Sequence, residues 1–413
     1  VALGPVVQSS AADAVYAPHG VVATSQPLAS QAGLLVLQRG GNAVDAAVTA
    51  AAVLNVVEPY MTGLGGDMFA ILWSERDRRL VGINGSGRAG ALMTREALGS
   101  SVRESGAKSI TIPGALSGWA ALLEEYGTLT LAEALQPAVA LAEEGFPVSR
   151  TTASEWALFA DDLKSDPGAR DTYLIDGERA PRAGEWFSNP DLAKTMQAIA
   201  DEGADLLYGG ALGQRIAEHV QELGGFLTAR DFAAHTSEWV EPLSVAFGDY
   251  RLWELPPNGQ GIAALEMLRL LEPYDLASMG HNSTAYLHHL IEAKKLAYAD
   301  LEQFVGDPDF MSIEPEQLLD DDFIAARRTQ LNAERARVHA TPDRSLTESD
   351  TTYLTVADRE GNMISFINSL AGPFGSGVVV PGTGFALQNR AAGFSIEEGL
   401  SLIHISEPTR LLV

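Results

Sequence analysis

The chain has 413 residues, 46% of them hydrophobic and 20% charged, enough for one large domain or two ordinary ones. Its apolar runs are short and interrupted, which excludes a membrane span of about 20 apolar residues. Lys and Arg number 28 against 54 Asp and Glu, a net charge of -26 spread along the whole chain, which sets it against nucleic acid as a partner. The absence of cysteine excludes thiol catalysis, Cys-based zinc sites and disulfides.

The first residues, VALGPVVQSS, carry no basic region followed by an apolar stretch, so no signal peptide is expected and a cytoplasmic location is. A start at Val1 leaves a removed leader, and with it a periplasmic or secreted protein, open. From Pro27 to Val57 apolar residues recur at helical spacing, and the Ala-rich GGNAVDAAVTAAAVLNVV predicts a buried, closely packed helix. A turn with three glycines then feeds a strand at MFAILW, with RDRRLVGIN as its hairpin partner. Residues 113–146 predict two helices, and helical periodicity dominates again over 190–222 and 261–337. Between them PLSVAFGDYRLWELPP alternates like a strand and runs into a loop at PPNGQG. A charged, Pro-containing stretch from about Asn332 to Asp350 predicts an exposed connector. After it come two strands joined by Asp-Arg-Glu-Gly-Asn, a hairpin signal, and a second β-rich stretch, GSGVVVPGTGFALQN. The last residues, SLIHISEPTRLLV, match nothing before them and are expected to be a foreign tail.

Chemistry concentrates at Asp350-Thr351-Thr352-Tyr353, where connector meets strand. A Thr hydroxyl needs a base beside it to act as a nucleophile. A cut before Thr351 would supply one, because the new α-amine has a pKa of about 7.7 to 8.0 and can take the hydroxyl proton itself. The same hydroxyl can make that cut by attacking the carbonyl of Asp350, giving an ester that water opens. On local sequence alone, a Thr pair opening a strand is equally β-propensity.

Four stretches shift that balance: GGNAVDAAVTAAAVLNVVEPYMTGLGGDMF, IPGALSGWAALLEEYGTLTLAEALQPAVALAEEGF, LAYADLEQFVGDPDF and DTTYLTVADREGNMISFINSL. In order and spacing they resemble the gamma-glutamyltransferases, N-terminal-nucleophile amidohydrolases, over about residues 19 to 395. The run INSLAGPFGSGVVVPGTGFALQNRAAGFS is most similar to the divergent branch that includes oxamate amidohydrolase. The resemblance implies an α+β fold, an αββα sandwich with a large helical portion in the N-terminal subunit. It also implies a precursor cut between Asp350 and Thr351, with residues 1–350 as the large-subunit region and 351–399 opening the small one. Residues 400–413 are left as the tail. The implied activity is transfer or hydrolysis of a γ-glutamyl or related small anionic acyl group through an ester on Thr351, without metal or cofactor. The implied partners are a small-molecule amide and the two subunits of one precursor, the pair forming a homodimer, with no nucleic acid or membrane.

Carried over residue by residue, the resemblance makes Thr351 the nucleophile, Ser369 its helper hydroxyl and Thr352 a further match, with Tyr353 in place of a common His. The family's asparagine and aspartate that hold the substrate ammonium fall on Ala371 and Gly393, and a neighbouring glutamine falls on Arg390. Arg88, two residues out of register, is the candidate for the substrate carboxylate, since a forked guanidinium suits that group. An anionic acyl group lacking a free amine is therefore expected, in the manner of oxamate. The family's paired serines and oxyanion-hole Gly-Gly turn have no counterpart before residue 413, so a C-terminally truncated, inactive homologue is the alternative. Gly85-Ser86-Gly87-Arg88-Ala89-Gly90 fits G-x-G-x-x-G, but no parallel βαβ pattern follows, and a glycine turn is expected instead of a dinucleotide site. His288 and His289 are adjacent on a helix and face apart, and Asp307 and Asp309 are expected to cap a loop rather than bind metal.

Overall fold

The computed structural model describes residues 16–99, 104–337 and 351–394. Asp350, the end of the connector and the 400–413 tail lie outside the described residues. The run from Pro27 to Val57 is two helices rather than one, Pro27–Gln38 and Ala43–Val57. Gly40, at φ +96°, turns the chain after the first. Asn42 then opens the second with a capping box: its side chain accepts from the Val44 and Asp45 amides, and Asp45 accepts from the Asn42 amide at 2.8 Å. Asp45 also accepts from the amides of Thr128 and Leu129, at 2.7 and 3.0 Å. The helix start is thereby tied to a distant loop. Every residue of Ala43–Val57 is buried, which its small Ala side chains permit.

Ten strands are described: β1 (Gly20–Ala23), β2 (Asp67–Ser74), β3 (Arg79–Gly85), β4 (Phe146–Pro147), β5 (Trp186–Phe187), β6 (Glu238–Val240), β7 (Leu243–Phe247), β8 (Tyr250–Glu254), β9 (Thr352–Asp358) and β10 (Met363–Ser369). Six form one antiparallel sheet in the order β1-β9-β10-β2-β3-β6. Strand alternation divides its side chains between two faces. Leu354, Val356, Ile364, Phe366, Ala70 and Leu72 are buried, and the Ala43–Val57 helix packs on β9 and β10. On the other face Phe69, Ile71, Trp73 and Ile367 are half-buried and Tyr353 is exposed. Helices gathered on one face of an antiparallel sheet make the α+β class that the sequence implies.

The two helices predicted over 113–146 appear as Ala115–Tyr126 and Leu131–Glu144, and the helical stretch 190–222 holds Pro190–Glu202 and Ala211–Glu222. Two strand expectations need correction. PLSVAFGDYRLWELPP is a hairpin, β7 and β8, because Gly248 at φ +57° turns the chain midway. GSGVVVPGTGFALQN forms no regular strand, only an isolated bridge between Val379 and Ala386. Gly375, Gly377, Gly382 and Gly384 all take positive φ there and interrupt extended pairing. Among the described residues no helix is long and apolar enough to cross a membrane.

The helices Gly261–Leu271, Thr284–Phe304 and Asp321–Arg328 enclose a separate small core around Leu270, Leu271, Ala293, Leu296 and Ile324. Nearby on the first of these helices, Glu266 is 1% exposed and its Oε1 lacks a hydrogen-bond partner. Arg327 pairs with the fully buried Asp300. Burial pushes the Glu266 carboxyl from 4.5 to about 7, with Arg327 pulling the other way. Between those values the unfolded chain releases the proton while the folded chain keeps it, so stability falls as pH rises through this window and is flat above it. Glu266→Gln should match wild type near the bottom of the window and exceed it by about 2–3 kcal/mol at about pH 8 in urea unfolding. A pH-independent difference would remove Glu266 as the cause.

Candidate active site

The site is a row across the sheet. Registers continue from Thr352 opposite Asn368 to Thr351 opposite Ser369, then pair Ser369 with Asp67, and Met68 opposite Gly85 sets Asp67 beside Ser86. Directly opposed residues share a face, so Thr351, Ser369, Asp67 and Ser86 project together from the partly open face. The Thr351 hydroxyl donates to Ser369 Oγ at 3.1 Å, and the Ala371 amide donates to the same oxygen at 2.9 Å. Thr351 is exposed where β9 begins. Thr352 is turned to the opposite face by strand alternation. It is 2% exposed, its hydroxyl buried among core side chains without a partner, so it does not stand beside Thr351 as its grouping with the catalytic residues implies.

Glycines let the backbones close around this row. A Cβ on Gly66 would lie 2.2 Å from the Ser369 carbonyl oxygen, and one on Gly87 only 1.5 Å from that of Ile112. The G-x-G-x-x-G run is thus a point of close backbone contact. It leads through a loop to a four-residue helix, Arg95–Leu98, and its strand β3 pairs antiparallel on both sides, so the βαβ frame of a dinucleotide site is not formed.

Asp67, which the sequence reading did not single out, is the centre of the polar network. It is fully buried. Its Oδ1 accepts from the Gly87 amide (2.9 Å), the Gly114 amide (3.2 Å) and Gln388 Nε2 (2.9 Å). Its Oδ2 accepts from Ser86 Oγ (3.2 Å) and pairs with Arg390 Nε (2.9 Å). Burial pushes this carboxyl above the ordinary aspartate range, against the pull of Arg390 and the amide donors. One signal was available in the sequence: an acid entering an apolar strand next to glycines needs a cationic partner.

The two arginines have different surroundings. Arg88 reaches Asp307 (2.6 Å), Glu238 (3.0 Å) and Asp309 (3.1 Å), so an incoming carboxylate would meet three acids around one cation. Asp307 also caps the short turn Pro308–Phe310 by accepting from the Asp309 amide. Beside this cluster, burial and the Arg88 charge push His235 down to about 4, which keeps it neutral. Arg390 is 30% exposed at its side chain, and its Nη2 lies 3.5 Å from the Ser369 carbonyl oxygen. Its Nη1 makes no hydrogen bond among the described residues. Ala371 brings no polar side chain and holds φ +77°, while Gly393 faces open space. His288 and His289 each bind a backbone carbonyl, and no cluster of metal-ligating side chains occurs among the described residues.

A nucleophile candidate opening a strand, with a helper hydroxyl opposite and helices behind the sheet, is the arrangement of N-terminal-nucleophile hydrolases. The sequence profile of the family described as Gamma-glutamyltranspeptidase matches residues 29–410. The glutathione hydrolase-like YwrD proenzyme of Bacillus subtilis (strain 168) is 41% identical over 382 residues, 92% of this chain and 72% of that protein. The oxamate amidohydrolase proenzyme of Klebsiella pneumoniae is 35% identical over 388 residues, again 92% and 72% of the two chains. The crystal structure of cephalosporin acylase from Bacillus halodurans superposes with a TM-score of 0.85 at 42% identity, covering 97% of this chain and 75% of that one. The chain therefore belongs to the gamma-glutamyltranspeptidase family, enzymes of the hydrolase and transferase type. Its relatives' names span glutathione, oxamate and cephalosporin chemistry, so membership fixes the reaction type and leaves the substrate to the site.

Proposed function

We propose that the chain cleaves itself before Thr351 and then hydrolyses or transfers a small anionic acyl group from an amide, through an ester on the Thr351 hydroxyl. The observation that carries this is the 3.1 Å hydrogen bond from Thr351 to Ser369 at the exposed start of β9. In processing, the Thr351 oxygen attacks the carbonyl before it, the peptide C–N bond breaks as the C–O bond forms, and water opens the ester. The freed α-amine then serves as base for attack on the substrate amide, whose amine leaves carrying a proton. Ser369 Oγ, fixed by the Ala371 amide, holds the threonine hydroxyl in line.

The acyl preference follows from what lines the site. Ala371 and Gly393 offer no side-chain acceptor for a substrate ammonium, and a buried ammonium without acceptors is costly. Arg390 offers N–H groups to an anion, whereas Arg88 is enclosed by acids. The γ-glutamyl anilide should accordingly be a poor substrate beside an anionic amide lacking an amine, such as oxamate. Ala371→Asn with Gly393→Asp, which has room at position 393, should raise γ-glutamyl anilide hydrolysis roughly tenfold by adding charge-assisted acceptors. Wild-type chain that turns over the γ-glutamyl anilide faster than the amine-free amide would rule out this preference.

A further inference from the structure

Asp67 and Arg390 form a couple whose two ends differ. The carboxylate end is sealed: Asp67 is fully buried, with three donors on Oδ1 and two on Oδ2. The guanidinium end is open, 30% exposed beside Ser369. Arg390 Nε also approaches Gln388 Oε1 at 3.3 Å, and Gln388 is itself held by Thr111 Oγ1 and the Ile112 carbonyl at 2.8 and 2.9 Å. A long, flexible arginine is thus anchored by the edge that carries Nε, leaving the Nη edge to face outward.

We propose that Asp67 is a positioning residue that selects for anionic acyl groups, because it clamps the Nε edge of Arg390 and so aims the Nη edge at the substrate anion beside Thr351. The inference rests on the anionic-acyl reading and adds the residue that enforces it. Asp67 touches no substrate; it acts through Arg390. The row Thr351-Ser369-Asp67 sets the distance between nucleophile and anion receptor, since adjacent strands lie about 5 Å apart. An acyl group is accepted when its anion reaches the guanidinium as its carbonyl reaches the threonine.

The geometry also fixes what Asp67→Asn does. Three donors surround Oδ1, so the asparagine oxygen must take that place and its NH2 must take the place of Oδ2. That NH2 then opposes Arg390 Nε–H, donor against donor, and the guanidinium is displaced. Arg390→Gln loses the receptor directly. In the double variant Asp67→Asn with Arg390→Gln, the glutamine carbonyl can accept from the asparagine, and the network closes without charge.

The test compares 4-nitroanilides of succinate and butyrate, equal in length and differing in a terminal carboxylate, on the full chain. Wild type should prefer the succinyl substrate. Asp67→Asn and Arg390→Gln should each lower that preference about ten- to hundredfold, mostly through KM, and the double variant should lose no more than either single. Losses that multiply in the double variant, or that fall equally on both substrates, would overturn the positioning role, as would a stronger succinyl preference in Asp67→Asn. A wild type with no succinyl preference would instead overturn the anionic-acyl reading and take this inference with it. If Asp67→Asn alone proves unstable, the charge-free double variant and Arg390→Gln still decide, because equal selectivity in the two is the signature of one residue acting through the other.

Discussion

Thr351→Ala should leave the purified chain as a single 43.8 kDa band on a denaturing gel under conditions in which wild type divides into two pieces, the smaller beginning TTYLTV. The substitution removes the hydroxyl that attacks and the hydrogen bond that holds it to Ser369, so the loss is expected to be complete rather than partial. Thr351→Ser keeps an attacking oxygen and should still divide. Ser369→Ala should slow the division by about 10²-fold, the usual scale for loss of a group that orients and assists proton transfer. If Thr351→Ala divides at the same place, the nucleophile lies elsewhere. If folded wild type never divides, the self-processing proposal fails for this chain.

The second large effect concerns what the cut leaves behind. The two pieces should elute together on gel filtration at the position of the uncut chain and part only in denaturant. Strands β9 and β10 come from the small piece, yet they sit inside the sheet, with β1 on one side and β2 on the other, both from the large piece. Further ties cross the same division: Trp119 Nε1 donates to Asn368 Oδ1 at 2.9 Å, and the Ala43 amide donates to Asp358 at 3.0 Å. Asn189 Nδ2 reaches the Gly384 carbonyl at 2.8 Å, and Thr195 Oγ1 reaches that of Thr383 at 2.9 Å. Pulling the small piece away would strip hydrogen bonds from two strand edges and open the core at Phe366 and Leu354, a loss on the scale of unfolding. A small piece that elutes free in native buffer would contradict this.

The parts of this protein legible in its sequence are those in which local pattern and chemistry agree. The β9–β10 hairpin was legible because alternation and an Asp-Arg-Glu-Gly-Asn turn point the same way, and Thr351 with Ser369 because the resemblance fixes their spacing. The helix from Ala43 was legible from its Gly-Gly-Asn start, whereas the end of the helix before it, at Gln38, was hidden by apolar periodicity that runs across the break. VVV and FAL read as strands by composition, and only the positive-φ glycines between them decided otherwise. Thr352 was carried over from the resemblance, which is blind to the face that a neighbouring strand residue takes. Asp67 showed in the sequence only as an acid entering an apolar strand, and its role was hidden for a different reason. Its meaning depends on Arg390, Gly87 and Gly114, brought to it only by the fold, and no local window contains that constellation.

The cross-strand row has one more consequence. Thr351, Ser369, Asp67 and Ser86 come from four strands, and a slip of a single residue in any pairing would send one of them to the opposite face. If the proposed cut is made, the bond before Thr351 should be broken fastest in molecules whose strands have found their native partners. Scission at Thr351 would then act as a receipt for correct assembly: the fraction of divided chain in a preparation would report how much of it has folded in register, without any assay of activity.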